Sequence, residues 1–276
     1  MFIAGDIDLD EAINLARQNF EHIKNENSFD VSQIRFPQIN QDIVTNQTRI
    51  YENVQKEQLV FYWPIQGLKA KNNTIVSVFS FIFGQGQGSR LYKRLVDEEK
   101  IATNVSVGAD QLMEAGIFIV YIEPIDGKNE QCRQIVEQEI EKIITQGVTD
   151  QELTKVVKRE KRLFFERMQS LMAFTYEWMS SYLASKDEFA VFRKLDEFDK
   201  VDSAQIQDFV SNYLDPFFMG QMQILPLPEN KKEAWVKAKN YSDQVDMRIL
   251  SNHVRETEVG TPKFVKSMPE PNKLDF

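Results

Sequence analysis

A largely apolar run, Ile75 to Phe83, stops abruptly at Gly84-Gln85-Gly86-Gln87-Gly88, and an amphipathic segment, Arg90-Leu91-Tyr92-Lys93-Arg94-Leu95, follows Ser89. Three of the chain's 11 glycines fall in this one loop. Glycine lacks a Cβ, so such a string lets the backbone turn sharply and approach another surface closely. A helix, a tight loop and a second helix are therefore forced into close quarters. The alternating pattern from Ile101 to Gly108 then calls for a strand straight after them.

Nucleotide binding is the first function to weigh against such a loop. A phosphate cradle of the P-loop kind needs a lysine after its last glycine, and here Ser89-Arg90 follows Gly88. A dinucleotide fingerprint needs its last glycine where Ser89 stands, and a strand where the Ile75–Phe83 segment reads as helix. A net charge of -9 and a pI near 5.0 oppose a nucleic-acid partner, which wants a basic face. No run reaches the roughly 18 apolar residues of a membrane span. The single cysteine, Cys132, excludes an internal disulfide and a cysteine-rich zinc site. It sits on an apolar helix face and reads as an inert buried thiol.

Taken in order, Phe2 to Ala4 reads as the end of a strand, and Asp8 or Asp10 caps a helix carrying Ala12, Ile13, Leu15, Ala16 and Phe20. Residues 25–50 read as a connector, and Tyr51 to Trp63 as a strand ended by Pro64. Asn73 opens the helix that runs to Phe83, and Ser89 caps a short helix reaching about Glu99. Ile101–Asp110 and Ile117–Ile125 form an antiparallel pair. Asn129–Thr145 is helical up to Gly147. The capping box Thr149-Asp150-Gln151-Glu152 begins a long helix through about Tyr182. Asp202-Ser203-Ala204-Gln205 starts another, and Met219–Leu227 is a final strand. Lys231–His253 reads as a polar helix and Thr257–Phe276, with Pro262, Pro269 and Pro271, as a linker. The fold expected is α+β, a two-layer sandwich of largely antiparallel sheet with helices packed on one face.

The order of these signals resembles the insulinase/pitrilysin family of zinc metallopeptidases, the inverzincins. The resemblance rests on Ala4-Gly5-Asp6-Ile7-Asp8, Gly88-Ser89-Arg90-Leu91-Tyr92-Lys93-Arg94-Leu95, Ser106-Val107-Gly108, Ala115-Gly116-Ile117-Phe118, Gly147-Val148-Thr149-Asp150-Gln151-Glu152-Leu153 and Val201-Asp202-Ser203-Ala204-Gln205-Ile206. It covers residues 1 to about 227. It implies a domain organisation of 1–50 as the end of a preceding strand–helix unit plus connector, 51–227 as the C-terminal peptidase-type domain, and 228–276 as a linker toward a further domain.

The family's zinc site is His-x-x-Glu-His with a downstream Glu, and it precedes the Gly-Asp segment in family members. The only histidines here, His22 and His253, lack that spacing. The paired Arg and Tyr that many members carry after the loop correspond to Val96 and Thr103, neither of which can grip a substrate backbone. The resemblance therefore implies no catalytic and no metal-binding residue in this chain, with zinc in the parent protein only. In the related mitochondrial processing peptidase the glycine-rich loop is implicated in guiding substrate, which makes Gly84, Gly86, Gly88, Ser89 and Arg90 candidate substrate contacts. A helix–helix turn that needs positive φ accounts for the same glycines equally well.

Other features have plainer readings. Arg90 and Arg94 pair with Asp97, Glu98 and Glu99 on a surface; Glu137, Glu141 and Lys142 form a solvated helix face. Phe164, Phe165, Met168, Leu171, Met172, Phe174 and Trp178 form an apolar stripe, either core or an inter-domain face. The function expected is that of a non-catalytic part of an insulinase-like zinc endopeptidase, forming chamber wall and glycine loop. The alternative is a stand-alone inactive scaffold subunit that pairs with an active peptidase of the family. Partners are a peptide substrate by way of the parent and another peptidase-family domain in cis or trans, with no nucleic acid and no membrane. The chain reads as soluble, periplasmic or cytoplasmic.

Overall fold

Strand β2, Gln58–Gln66, explains the architecture best, because its inward residues Leu59, Phe61, Trp63 and Ile65 are all fully buried. In the computed structural model, which describes residues 2–23, 47–70 and 73–232, five strands form one sheet in the order β1-β5-β2-β4-β3. The others are β1 (Gln47–Glu52), β3 (Ala102–Gln111), β4 (Ala115–Pro124) and β5 (Gly220–Pro226). Every neighbouring pair is antiparallel except β1 with β5, which is parallel. The fold is thus α+β, with a largely antiparallel sheet. Contacts divide the chain into two units, Met1–Pro226 and Leu227–Phe276. The expected polar helix is described only through Lys232; the proline-rich tail, His253 and the connector over 25–46 lie outside the described residues.

Helices α2 (Asn73–Phe83), α4 (Asn129–Gln146) and α8 (Ser203–Tyr213) pack on the inward face. Phe79 is the hub, its ring 5.0 Å from Phe83, 5.3 Å from Phe118 and 5.8 Å from Phe209. Burying each such side chain contributes about 1.5–3 kcal/mol. Val136, Ile140 and Ile143 of α4 and Ile206, Phe209 and Val210 of α8 complete this core. On the opposite sheet face Tyr121 is 45% exposed, and its cross-strand neighbours Val60 and Ser106 share that side.

Several expectations need correction. Phe2–Ala4 joins no strand; the Phe2 ring packs edge-on against Trp178 and Tyr182 instead. Tyr51–Trp63 is two strands, with β5 inserted between β1 and β2, and the connector ends earlier than residue 50 because β1 starts at Gln47. Pro64 does not end β2. It pairs with Ile117 on one side and lies past Tyr62, the last β2 residue paired with β5, so no ladder partner is lost there. The long helix breaks at Gln169-Ser170 into α5 (Asp150–Met168) and α6 (Leu171–Ser185), because the Ser170 hydroxyl accepts from the Ala173 N–H and starts a new helix. The apolar stripe breaks with it: Phe164 is buried, while Phe165, Leu171 and Met172 are exposed. Helix α7, Ala190–Lys200, has no counterpart in the sequence reading. Helix α1, Leu9–Phe20, is capped by Asp8 as expected, yet none of its residues is buried.

Candidate functional site

The glycine loop is held from below by its own backbone. The N–H groups of Gly84 and Gln85 both donate to the Ser80 carbonyl at 3.0 Å, ending α2. Gly84 is buried where a Cβ would overlap the Val107 side chain on β3, so only glycine lets α2 end this close to the sheet. Gly86 takes φ +84°, a conformation that L side chains rarely adopt. Its carbonyl then accepts from the Ser89 N–H at 3.1 Å and the Ser89 hydroxyl at 2.7 Å. Ser89 occupies the N-cap position of α3 (Arg90–Tyr92), but its buried hydroxyl closes the loop rather than capping the helix. The chain continues as a π-helical turn over Lys93–Glu98, with Leu91 and Leu95 both fully buried.

Arg90 does not join the surface pattern expected of it. Its Nε and Nη2 donate to the two Glu152 oxygens at 2.7 and 2.8 Å, and Nη2 also donates to the Gly147 carbonyl at 3.2 Å. Glu152 in turn accepts from the Thr149 N–H at 2.8 Å and from its hydroxyl, completing the expected capping box of α5. Burial alone would raise the Glu152 pKa. Hydrogen bonds from Arg90 and Thr149, with the Arg90 charge, outweigh it and hold the carboxyl at about 2. The α4–α5 corner is also tied to α8, where Ser203 Oγ accepts from the Val148 N–H and Gln207 donates to the Ile144 carbonyl.

Arg94 reaches Glu98 and Glu99 as anticipated, but also the buried Glu139 at 3.5 Å, which Lys142 contacts at 2.6 Å. Glu137, Glu141 and Lys142 lie outside the core as expected, while Glu139, on the buried face of α4 with Ile135, Val136 and Ile143, is a paired carboxylate that sequence reasoning missed. Cys132 is buried, and desolvation pushes its thiol up to about 11. Val96 packs against the core, and the Thr103 hydroxyl donates to Glu123 at 3.1 Å.

Of the five residues singled out, Gly84 and Ser89 are buried and Arg90 is committed to Glu152, whereas Gly86 and Gly88, with Gln87 between them, are exposed. Beside this exposed arc, a notch of about 70 Å³ opens toward α5, lined by Phe81, Gln85, Gly88, Glu152, Lys155 and Arg159. Sequence reasoning missed Lys155 and Arg159. A wider hollow of about 590 Å³ lies near the start of α2, where Glu197 accepts from Thr74 and Lys194 pairs with Glu177.

Zinc, which the resemblance implies for the parent, does not fit the donors present. The sequence has no His-x-x-Glu-His, and among the described residues no group of three or more His, Cys, Asp or Glu could hold a metal ion. Also among the described residues, no helix is long and apolar enough to cross a membrane.

Residues 1–160 match the family model described as the peptidase M16 inactive domain. A zinc protease PqqE from Helicobacter pylori is 22% identical over 175 residues, which span 62% of this chain and 38% of that protein. The chain thus spans well under half the length of that curated relative. A solved protease from Helicobacter pylori superposes with TM-score 0.69 at 18% identity, over 80% of this chain and 53% of that one. The solved inactive peptidase domain of a putative zinc protease from Bordetella parapertussis gives TM-score 0.57 at 15% identity, over 65% of this chain and 96% of that one.

Proposed function

Because the chain belongs to the family of peptidase M16 inactive domains, we propose that it is the non-catalytic part of a zinc-dependent endopeptidase assembly. In this reading it supplies a chamber wall and the glycine loop, while metal and general base come from a separate family domain. The observation that carries this is the division of labour within the loop. Gly84, Ser89 and Arg90 anchor it, and Gly86–Gly88 is left as an exposed arc against a notch on α5. A helix–helix turn alone accounts for Gly84 and for the positive φ of Gly86, but leaves Gly88, which takes no positive φ, without a role.

The mechanism assigned to this chain is positional. Extended peptide crossing the loop meets bare backbone at Gly86 and Gly88, with the Gln87 side chain between them, so it can approach closely at the two glycines. Zinc held by the other domain would supply the activated water, and no group of this chain takes part in that step. The test is to express separately a zinc-bearing family half carrying His-x-x-Glu-His and to measure cleavage of a quenched fluorescent peptide. Adding this chain is expected to raise turnover. Equal turnover with and without it would overturn the proposal.

A further inference from the structure

The notch beside the loop carries two cations from α5. Lys155 and Arg159 stand four residues apart on α5, hence on one face, and both are exposed. Among the described residues neither makes an ion pair or a hydrogen bond; the Arg159 guanidinium lies 4.3 Å from the centroid of the Phe81 ring. The carboxylate one turn earlier, Glu152, is already taken by Arg90 and Thr149, so it does not neutralise them. Like charges one turn apart repel, and among the described residues neither cation is hydrogen-bonded to a carboxylate; the Arg159 charge acts only at longer range on Glu160.

The loop runs close to these two heads. A Cβ on Gly88 would lie 2.6 Å from Lys155 Nζ, and one on Gly86 would lie 3.4 Å from Arg159 Nη1. Gly88 thus leaves room for the Lys155 head where it stands, while at Gly86 the spacing is ordinary contact and the constraint is the positive φ. Among the described residues, the backbone N–H groups of Gly86, Gln87 and Gly88 donate to no protein acceptor. Of these three residues Gly88 lines the notch, and an unpaired loop N–H beside two cations is a donor set for an anion.

We propose that this notch is a subsite for the carboxylate of an acidic side chain on a bound peptide. Lys155 and Arg159 supply the charge, the Gly88 N–H supplies a further donor, and Phe81 meets the methylenes of the bound side chain. The volume of about 70 Å³ suits a carboxylate and is too small for a ring. In a chain of net charge -9 a positive notch selects locally rather than attracting acidic peptides in general. The assignment rests on the chamber-loop reading above and names the substrate class for it.

The test uses the full chain and three fluorescent extended peptides: one amidated with a central Glu, its amidated Gln counterpart, and the Gln peptide with a free C-terminal carboxylate. Anisotropy is expected to show the Glu peptide binding about tenfold tighter than the amidated Gln peptide, with the preference shrinking as salt rises. Lys155→Met and Arg159→Met should each erode the preference, and Lys155→Arg should keep most of it. A preference for the free-acid Gln peptide over the Glu peptide would overturn the side-chain assignment. Equal binding of all three would overturn the carboxylate subsite while leaving the loop as a peptide contact. Failure of every peptide to bind would overturn both.

Discussion

Glu152 serves two elements at once, capping α5 through Thr149 and tying α3 to that cap through Arg90. Replacing it with Gln removes the charge-assisted bonds and is expected to cost about 1–3 kcal/mol in denaturant unfolding at neutral pH. The folded carboxyl sits near 2 against an ordinary 4.5, so its contribution is present above 4.5 and disappears as pH falls through about 2. The stability gap between wild type and Glu152→Gln should therefore close across that window. A gap unchanged down to pH 2 would remove the charge from the explanation.

Glu160 behaves in the opposite sense. Burial raises its carboxyl above the ordinary 4.5, offset only in part by the Ser77 hydroxyl and the charges of Arg167 and Arg159, and Oε1 has no partner among the described residues. Below 4.5 both folded and unfolded chains hold the proton. As pH rises through the raised value, the folded chain comes to carry a poorly solvated charge and loses stability. Glu160→Gln is expected to be neutral or stabilising at pH 7 and to lose any advantage below 4.5, read from paired unfolding curves.

At the scale of elements, the close approach of α2 to β3 depends on Gly84. A methyl group there collides with Val107, so Gly84→Ala should destabilise by about 1–3 kcal/mol. Val107→Ala opens the space, and the double substitution should cost less than the sum of the singles. Strict additivity would mean that the two side chains do not meet.

The elements legible in the sequence were those with local causes. Thr149 with Glu152, and Asp202 with Gln205, each form both halves of a capping box three residues apart. The β3–β4 pair follows from alternation across a short turn. What escaped was set by distant partners. Arg90 finds Glu152 across 62 positions, and β5 enters between β1 and β2 from the far end of the domain. The α5–α6 break turned on one serine, whose capping hydroxyl looks in sequence like any polar residue on a helix. The loop itself was visible in the sequence, but its neighbours Lys155 and Arg159 were not, because only the packing of α5 brings them to it.

At the scale of the whole molecule, a layer of helices on one face of a five-stranded sheet carries a loop whose anchors are structural and whose exposed arc is open to a second molecule. The proposed wall role rests on that arrangement. The most direct measurement combines zinc titration with peptide cleavage by the purified 276-residue chain alone. The account predicts no tight stoichiometric zinc and no zinc-dependent turnover. One equivalent of tightly held zinc together with peptide hydrolysis by this chain would contradict it.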